Sequence, residues 1–325
     1  MSDDTYKEMS DDDKTQLKHV VGVNTPLPLI PNMEVSSFTN AQHGYGAHTQ
    51  YQWFDSKVPG QQRTVYENCI IDLVVREGYA VRTLDHTGHG RSENKDDLKC
   101  FFQFEHLVDE FEQYITDTVM NEAKLKGLPI FLFGISMGGA TAIRLSENNP
   151  DRYTGLVTFA PMCSLEKVRR QTIKWCIRNK HLEPFIGLLA CLKPSMAIAK
   201  SSPNTMFPVM QQEYDNDPMV YHGDSRVLVA KSFIDVTARF MSPGGFDNVQ
   251  VPFATFHSVH DTLTDLEGTE ALFENSKNVR NGDKKFYRVG AGLDVDAKMW
   301  HNLLREPGWE LVLGAALKWM DVRCK

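Results

Sequence analysis

Three residues far apart in the chain have the types that acyl-transfer chemistry needs: Ser136, Asp261 and His301. A serine hydroxyl is a poor nucleophile unless an imidazole takes its proton, and the imidazole must be oriented by a carboxylate. Ser136 lies in Gly134-Ile135-Ser136-Met137-Gly138. The apolar run 130–133 before it has the length and type of a buried strand, and 140–147 after it reads as a helix. Strand, G-x-S-x-G, helix is the setting of a nucleophile elbow. The turn leaves no room for a Cβ two residues before or two after the serine, which the glycines at 134 and 138 answer. Taken alone, the pattern also fits a Gly-Ser turn opening a phosphate-binding helix.

Where such an elbow works, the acid follows a later strand and the histidine follows the last one. Of the eleven histidines, only His301 lies beyond the final strand candidate, 285–289, so it is the base by elimination. Asp261 follows the strand candidate 251–256 closely and is the expected acid, with Asp265 as runner-up. His257, His260 and Asp261 can also be read as metal ligands, but no matching cluster appears elsewhere, so no metal is expected. The oxyanion hole needs two backbone N–H groups. One is expected from Met137, directly after the serine, and the other from Tyr45 in the turn His43-Gly44-Tyr45-Gly46.

The elements that must position these residues alternate in type. Strand signals at 79–84, 130–133, 155–159, 251–256 and 285–289 are separated by helical patterns such as 107–123 and closed by a helix at 309–322. This predicts a mostly parallel sheet covered on both faces. From 164 to 240 the alternation stops, and a mainly helical insertion is expected there. Residues 1–20 read as a disordered acidic tail, 21–163 and 241–325 as the core, and 164–240 as a lid. The stretch 27–31 reads as an edge segment pinned to the body. The stretch 35–42, Val-Ser-Ser-Phe-Thr-Asn-Ala-Gln, is too polar for a buried strand, so the sheet is expected to be shortened or rebuilt near its start.

With 325 residues, 42% hydrophobic and 24% charged, the chain can bury a full core. A net charge of -7 argues against nucleic acid as a partner. No signal sequence and no membrane-length apolar run is present. The cysteines at 69, 100, 163, 176, 191 and 324 form no CxxC pair and read as free thiols of a cytoplasmic protein.

With these residues in place the chain resembles the monoglyceride lipases and lysophospholipases of the α/β-hydrolase superfamily. The matching motifs are His43-Gly44-Tyr45-Gly46 with His48, the loop from Asp85 to Ser92 (Asp-His-Thr-Gly-His-Gly-Arg-Ser), and Gly134 to Gly139. Ala160-Pro161-Met162, Asp217-Pro218 with Tyr221, Val251-Pro252 leading to His260-Asp261, and His301 with Glu306-Pro307 complete the set. They run in family order over roughly 43–322. The resemblance implies an α/β-hydrolase fold with a helical lid after the strand 155–159, and hydrolysis of the acyl ester of a monoacylglycerol or lysophospholipid. Ser136 would form the acyl-enzyme, His301 would shuttle the proton, Asp261 would orient it, and no cofactor would be needed. His43, Phe185, Leu188 and Leu189 are expected to contact substrate. Animal monoglyceride lipases usually carry a glutamate, an arginine and a second histidine where this chain has Ala47, most nearly Gln50, and Leu304. Glycerol recognition therefore differs, or the headgroup is something else.

Residues 164–200 hold eight basic and two acidic side chains around the uncharged stretch 184–192. That composition suits peripheral contact with anionic lipid as the acyl chain enters; a solvated basic face over a capping helix fits it equally. A general carboxylesterase, an aminopeptidase on the same scaffold, and a non-catalytic receptor or scaffold are the alternatives to the lipase reading.

Overall fold

A strand buried on both faces commonly reads as a near-continuous apolar run, and β3 (Ile130–Ile135) and β4 (Gly155–Phe159) are of that kind, with no exposed residue. They are the centre of the sheet in a computed structural model of the protein. It describes residues 37–94, 98–120, 127–167, 172–174, 177–178, 183–199 and 202–324. The other strands are β1 (Ser37–Gln42), β2 (Tyr79–Thr83), β5 (Phe253–Ser258) and β6 (Lys284–Val289). All six pair in parallel, in the order β6-β5-β4-β3-β1-β2. Parallel pairing puts every strand's C-terminal end at one edge, where α/β sheets place their sites.

Helices cover both faces. On one side lie α3 (Phe104–Tyr114), continued by a π-helical stretch Ile115–Met120, and α4 (Met137–Asn148). Phe104, Leu107, Val108, Phe111 and Ile115 recur at helical spacing and are buried against the sheet. On the other side lie α2 (Ile70–Arg76) and α9 (Trp309–Asp321), which bury Ile70, Val74, Val312, Trp319 and Met320; α1 (Thr49–Trp53) follows β1 in the chain and α8 (Leu266–Asn275) follows β5. Each such large side chain contributes about 1.5–3 kcal/mol of burial.

The expected mostly parallel sheet with helices on both faces is the one observed. The start of the sheet differs from expectation. Ser37–Gln42 is a buried central strand, paired with β2 on one edge and β3 on the other. Its backbone groups are satisfied by two ladders, and this outweighs its polar side chains. Ser37, Thr39, Asn40 and Gln42 leave side-chain atoms buried without a hydrogen-bond partner, each at a cost of about 1–3 kcal/mol. The expected acidic tail and the edge segment 27–31 fall outside the described residues.

Between β4 and β5 the described residues include α5 (Glu183–Leu192), α6 (Pro208–Asn216) and α7 (Val227–Phe240). Short antiparallel pairs, Thr172–Lys174 with Ile177–Arg178 and Ala197–Ala199 with Ser225–Arg226, also occur there. Val229, Phe233, Val236 and Phe240 of α7 share one buried cluster with α3 and α4, so this helix is built into the core. Cys69, Cys100, Cys163, Cys191 and Cys324 are free. Among the described residues no helix is long and apolar enough to cross a membrane.

Candidate active site

Ser136 sits between β3 and α4 with φ 53° and ψ −116°, a region that side-chain-bearing residues rarely adopt. Such a conformation costs on the order of 1–3 kcal/mol and persists only where its surroundings impose it. Here they do. Ser136 N–H donates to Phe159 O at 3.0 Å, and Ser136 O accepts from Ala140 N at 3.1 Å and Met162 N at 3.0 Å. A methyl group on Gly134 would lie 2.3 Å from Gly138 O, so the turn closes only with glycine there. One on Gly138 would lie 2.5 Å from Gln42 O and 2.6 Å from His43 O. The elbow is thus packed against the end of β1 and the turn that follows it.

That contact yields a prediction. Gly138→Ala forces backbone against backbone, an overpacking cost of about 1–3 kcal/mol. The expected result is a fall of several degrees in melting temperature together with lost ester turnover. A variant as stable and as active as wild type would show that the two turns are not in contact.

Gly44 runs alongside the serine: a methyl group on it would reach within 3.5 Å of Ser136 Cβ. Tyr45 follows directly, and Met137 is the first residue of α4, whose N–H has no partner within the helix. Met137 N–H thus adjoins Ser136 in the chain, and Tyr45 N–H follows Gly44, the residue that packs against the serine. His43, expected to touch substrate, is fully buried behind the turn. His86 N–H donates to its Nε2 at 3.1 Å, so the proton is on Nδ1, which donates to Gly44 O at 2.9 Å. Burial holds the ring's pKa below the usual histidine value, against the opposing pull of Asp85. Asp85 in turn accepts from Thr49 N at 2.6 Å and Arg91 N at 2.9 Å, tying the loop after β2 to this turn.

Asp261 and His301 meet. His301 Nδ1 donates to Asp261 Oδ2 at 2.7 Å, with Asp261 4% and His301 8% exposed. Asp261 Oδ1 accepts from Leu263 N at 2.7 Å and Thr264 N at 3.1 Å, and Oδ2 accepts from Thr264 Oγ1 at 3.0 Å. Thr264 Oγ1 also lies 3.1 Å from Ala160 O, at the end of β4, whose Phe159 holds Ser136. Burial alone would raise the Asp261 carboxyl, but the charge of His301 and hydrogen bonds from His257 and His301 outweigh it and hold it well below the usual range. Burial alone would lower His301. Asp261, by charge and hydrogen bond, and then Glu306 reverse that and raise it.

Asp265, the runner-up acid, accepts instead from Ser164 Oγ at 2.7 Å and from Lys167 N, and so fixes the start of the 164–240 insertion. His257 and His260 do not form a metal cluster with Asp261. His257 is buried, with Nδ1 2.7 Å from Thr269 Oγ1 and Nε2 3.3 Å from Asp261 Oδ2, whereas His260 is exposed. Among the described residues no group of three or more His, Cys, Asp or Glu could hold a metal ion. Leu188 is 61% exposed and Leu189 partly buried on α5, and the side chain of Phe185 lies outside the described residues.

Sequence reasoning missed Thr264 and the roles of His257 and Glu306. Glu306 accepts from the backbone N–H of Trp300, His301 (3.1 Å) and Asn302 (2.9 Å), which folds the loop around the imidazole. The Asp-x-x-Thr spacing of 261–264 is a turn-capping pattern and was the available signal for Thr264.

The pattern of the family described as serine aminopeptidase, S33, matches residues 60–308. The chain is 26% identical over 300 residues to the caffeoylshikimate esterase of Arabidopsis thaliana, covering 90% of this chain and 80% of that one. It is 26% identical over 196 residues to the monoglyceride lipase of Mus musculus, covering 60% of each chain. Among solved structures, a soluble variant of the Saccharomyces cerevisiae monoglyceride lipase, in complex with a substrate analog, superposes with a TM-score of 0.69 at 18% identity. That match covers 90% of this chain and 88% of that one.

Proposed function

The chain belongs to the serine aminopeptidase S33 family, and from that membership we propose that it is a serine hydrolase cleaving the acyl ester of a small lipid, a monoacylglycerol or a lysophospholipid. The observation that carries the reading is the 2.7 Å bond from His301 to a buried Asp261, at the same sheet edge as a strained serine. Ser136 Oγ attacks the ester carbonyl while His301 Nε2 takes its proton. The oxyanion that forms is met by the N–H groups of Met137 and Tyr45. His301 then gives the proton to the departing alcohol, leaving an acyl-enzyme. Water, deprotonated by the same imidazole, attacks the acyl carbon and frees Ser136 and the fatty acid.

The relatives named a monoglyceride lipase and a caffeoylshikimate esterase both support an ester substrate. A general carboxylesterase is the second reading, and one observation favours it. Ala47 and Leu304 stand where glycerol-binding polar groups are usual in the animal lipases, and both are buried among apolar side chains. A turnover panel tests the proposal: monoacylglycerols of several chain lengths, lysophosphatidylcholine, short p-nitrophenyl esters and amino-acid p-nitroanilides. Faster turnover of the lipid esters supports the lipase reading, and preference for short esters supports the carboxylesterase. Preference for the anilides overturns both in favour of an aminopeptidase. No turnover and no fluorophosphonate labelling of wild type would mean a receptor or scaffold.

Peripheral membrane contact is part of the proposal. Leu188 and Leu192 are 61% and 68% exposed, one turn apart on α5; four of the eight basic residues of 164–200, Arg169, Arg170, Lys180 and Lys200, fall outside the described residues. Leu188→Gln with Leu192→Gln is expected to reduce co-sedimentation with anionic liposomes severalfold. Equal sedimentation of variant and wild type would remove the membrane contact.

A further inference from the structure

One buried carboxylate in the 164–240 insertion joins the two halves of the candidate site. Glu213, on α6, is 3% exposed and holds two arginines with a single oxygen: Oε2 accepts from Arg305 Nη2 at 2.7 Å and from Arg63 Nη1 at 2.9 Å. Its Oε1 accepts from Ser56 Oγ at 3.0 Å. Arg305 lies four residues past His301, is 5% exposed, and stacks its guanidinium 3.7 Å from the ring centre of Tyr51. The same stretch of the insertion reaches the turn beside Ser136. Tyr221 N–H donates to Gly46 O at 2.9 Å, and His48 Nε2 donates to Asp217 Oδ2 at 3.1 Å.

The clamp by Glu306 is internal to the His301 loop. It sets the loop's shape, not its distance from the turn at Gly44–Gly46. The Asp261 bond orients the imidazole, but Asp261 is on the far side, after β5. Besides the stacking of Arg305 on Tyr51, two hydrogen-bonded contacts run from the loop toward the turn's side of the site. One is Gln52 Nε2 donating to Asn302 Oδ1 at 2.9 Å, a neutral and partly exposed bond. The other is the charged, buried link from Arg305 to Glu213, and charge-assisted bonds in such surroundings are about twice as strong as neutral ones.

We propose that Glu213 is a positioning residue. Through Arg305 it fixes where the His301 loop stands relative to the oxyanion turn. It acts on the imidazole at one remove, and the proposal rests on the reading of His301 as the base.

The test uses the full chain and p-nitrophenyl butyrate, with melting temperature and fluorophosphonate labelling rate measured alongside. Arg305→Met cuts the link while leaving Glu213 paired with Arg63, so no buried carboxylate is orphaned. Its kcat is expected to fall about tenfold to a hundredfold, the scale of a displaced catalytic group, with KM nearly unchanged and the protein folded. Arg305→Lys, which keeps the charge, is expected to recover part of the loss. Adding Glu213→Gln to Arg305→Met is expected to cost little more than the worse single change, because both remove one link.

A folded Arg305→Met with wild-type kcat overturns the proposal, and so do losses that multiply in the double variant. If Glu213→Gln does not fold, Arg305→Met and Arg305→Lys decide between them: equal, undiminished kcat in both rejects the link. Failure of the esterase reading looks different, since wild type itself would then neither turn over nor label; that result would reject both readings.

Discussion

Ser136→Ala is expected to lower ester turnover by about a millionfold and to abolish labelling by a fluorophosphonate. The size follows from the role. The hydroxyl is the atom that becomes bonded to the acyl group, and no neighbouring side chain can substitute for it. What remains is the oxyanion site and substrate binding, worth about 10³- to 10⁴-fold over water. The elbow's fold does not depend on the hydroxyl, because its hydrogen bonds run through Ser136 N and O. Alanine at φ 53° keeps the strain that serine bears. Ser136→Gly removes it and is expected to be equally inactive but more stable than Ser136→Ala by about 1 kcal/mol. Thermal melts and single-turnover assays on both variants check this pair of expectations. A Ser136→Ala protein that keeps a hundredth of wild-type turnover would show that the nucleophile is elsewhere.

The elbow was legible because its constraints act on neighbours in sequence. A strand buried on both faces leaves an apolar run, and a turn closing on itself leaves glycines, so 130–133 and 155–159 could be read directly. Asp261 was legible through its place after a strand, although that strand is shifted: Phe253–Ser258 rather than 251–256, with Pro252 just before its first residue. Ser37–Gln42 was not legible. Hydropathy records side chains, whereas this strand is held by two backbone ladders despite unpartnered amides at Asn40 and Gln42. The strand pairs of the insertion are two or three residues long, too short for any periodicity. The links that carry the further inference join residues far apart in sequence, Glu213 to Arg305 and to Arg63. A charged residue bound for a buried partner looks, in sequence, like any surface charge.

Asp261→Asn is expected to cost about 10⁴-fold in kcat, and the surroundings of the carboxylate say why an isosteric change does so much. Oδ1 accepts two backbone N–H groups, from Leu263 and Thr264. An asparagine must keep its oxygen there, which turns its NH₂ toward the Oδ2 position, where His301 Nδ1 and Thr264 Oγ1 are bonded and His257 Nε2 is close. Facing a donor, His301 Nδ1 becomes an acceptor, the ring proton moves to Nε2, and the nitrogen that should take the Ser136 proton is already occupied. The pH dependence follows from the same pair. Asp261 raises the pKa of His301 above 6.5, and the base works only when neutral, so kcat/KM in wild type is expected to rise with pH through a midpoint above that value. The stability from this pair is fully present below the unfolded histidine pKa and is lost as pH rises through the raised one. On the acid side, the depressed Asp261 contributes above its unfolded value and loses that contribution as pH falls through the native one. Both limbs report one interaction, which is counted once. Imidazole NMR in a Ser136→Ala background is expected to show the His301 midpoint falling when Asp261→Asn is added, while kcat/KM of the Asp261→Asn enzyme keeps its low value across the pH range. Asp265→Asn, which loosens only Ser164 and Lys167, should leave the midpoint in place; if it is the more damaging of the two changes, the carboxylate that serves His301 is misassigned.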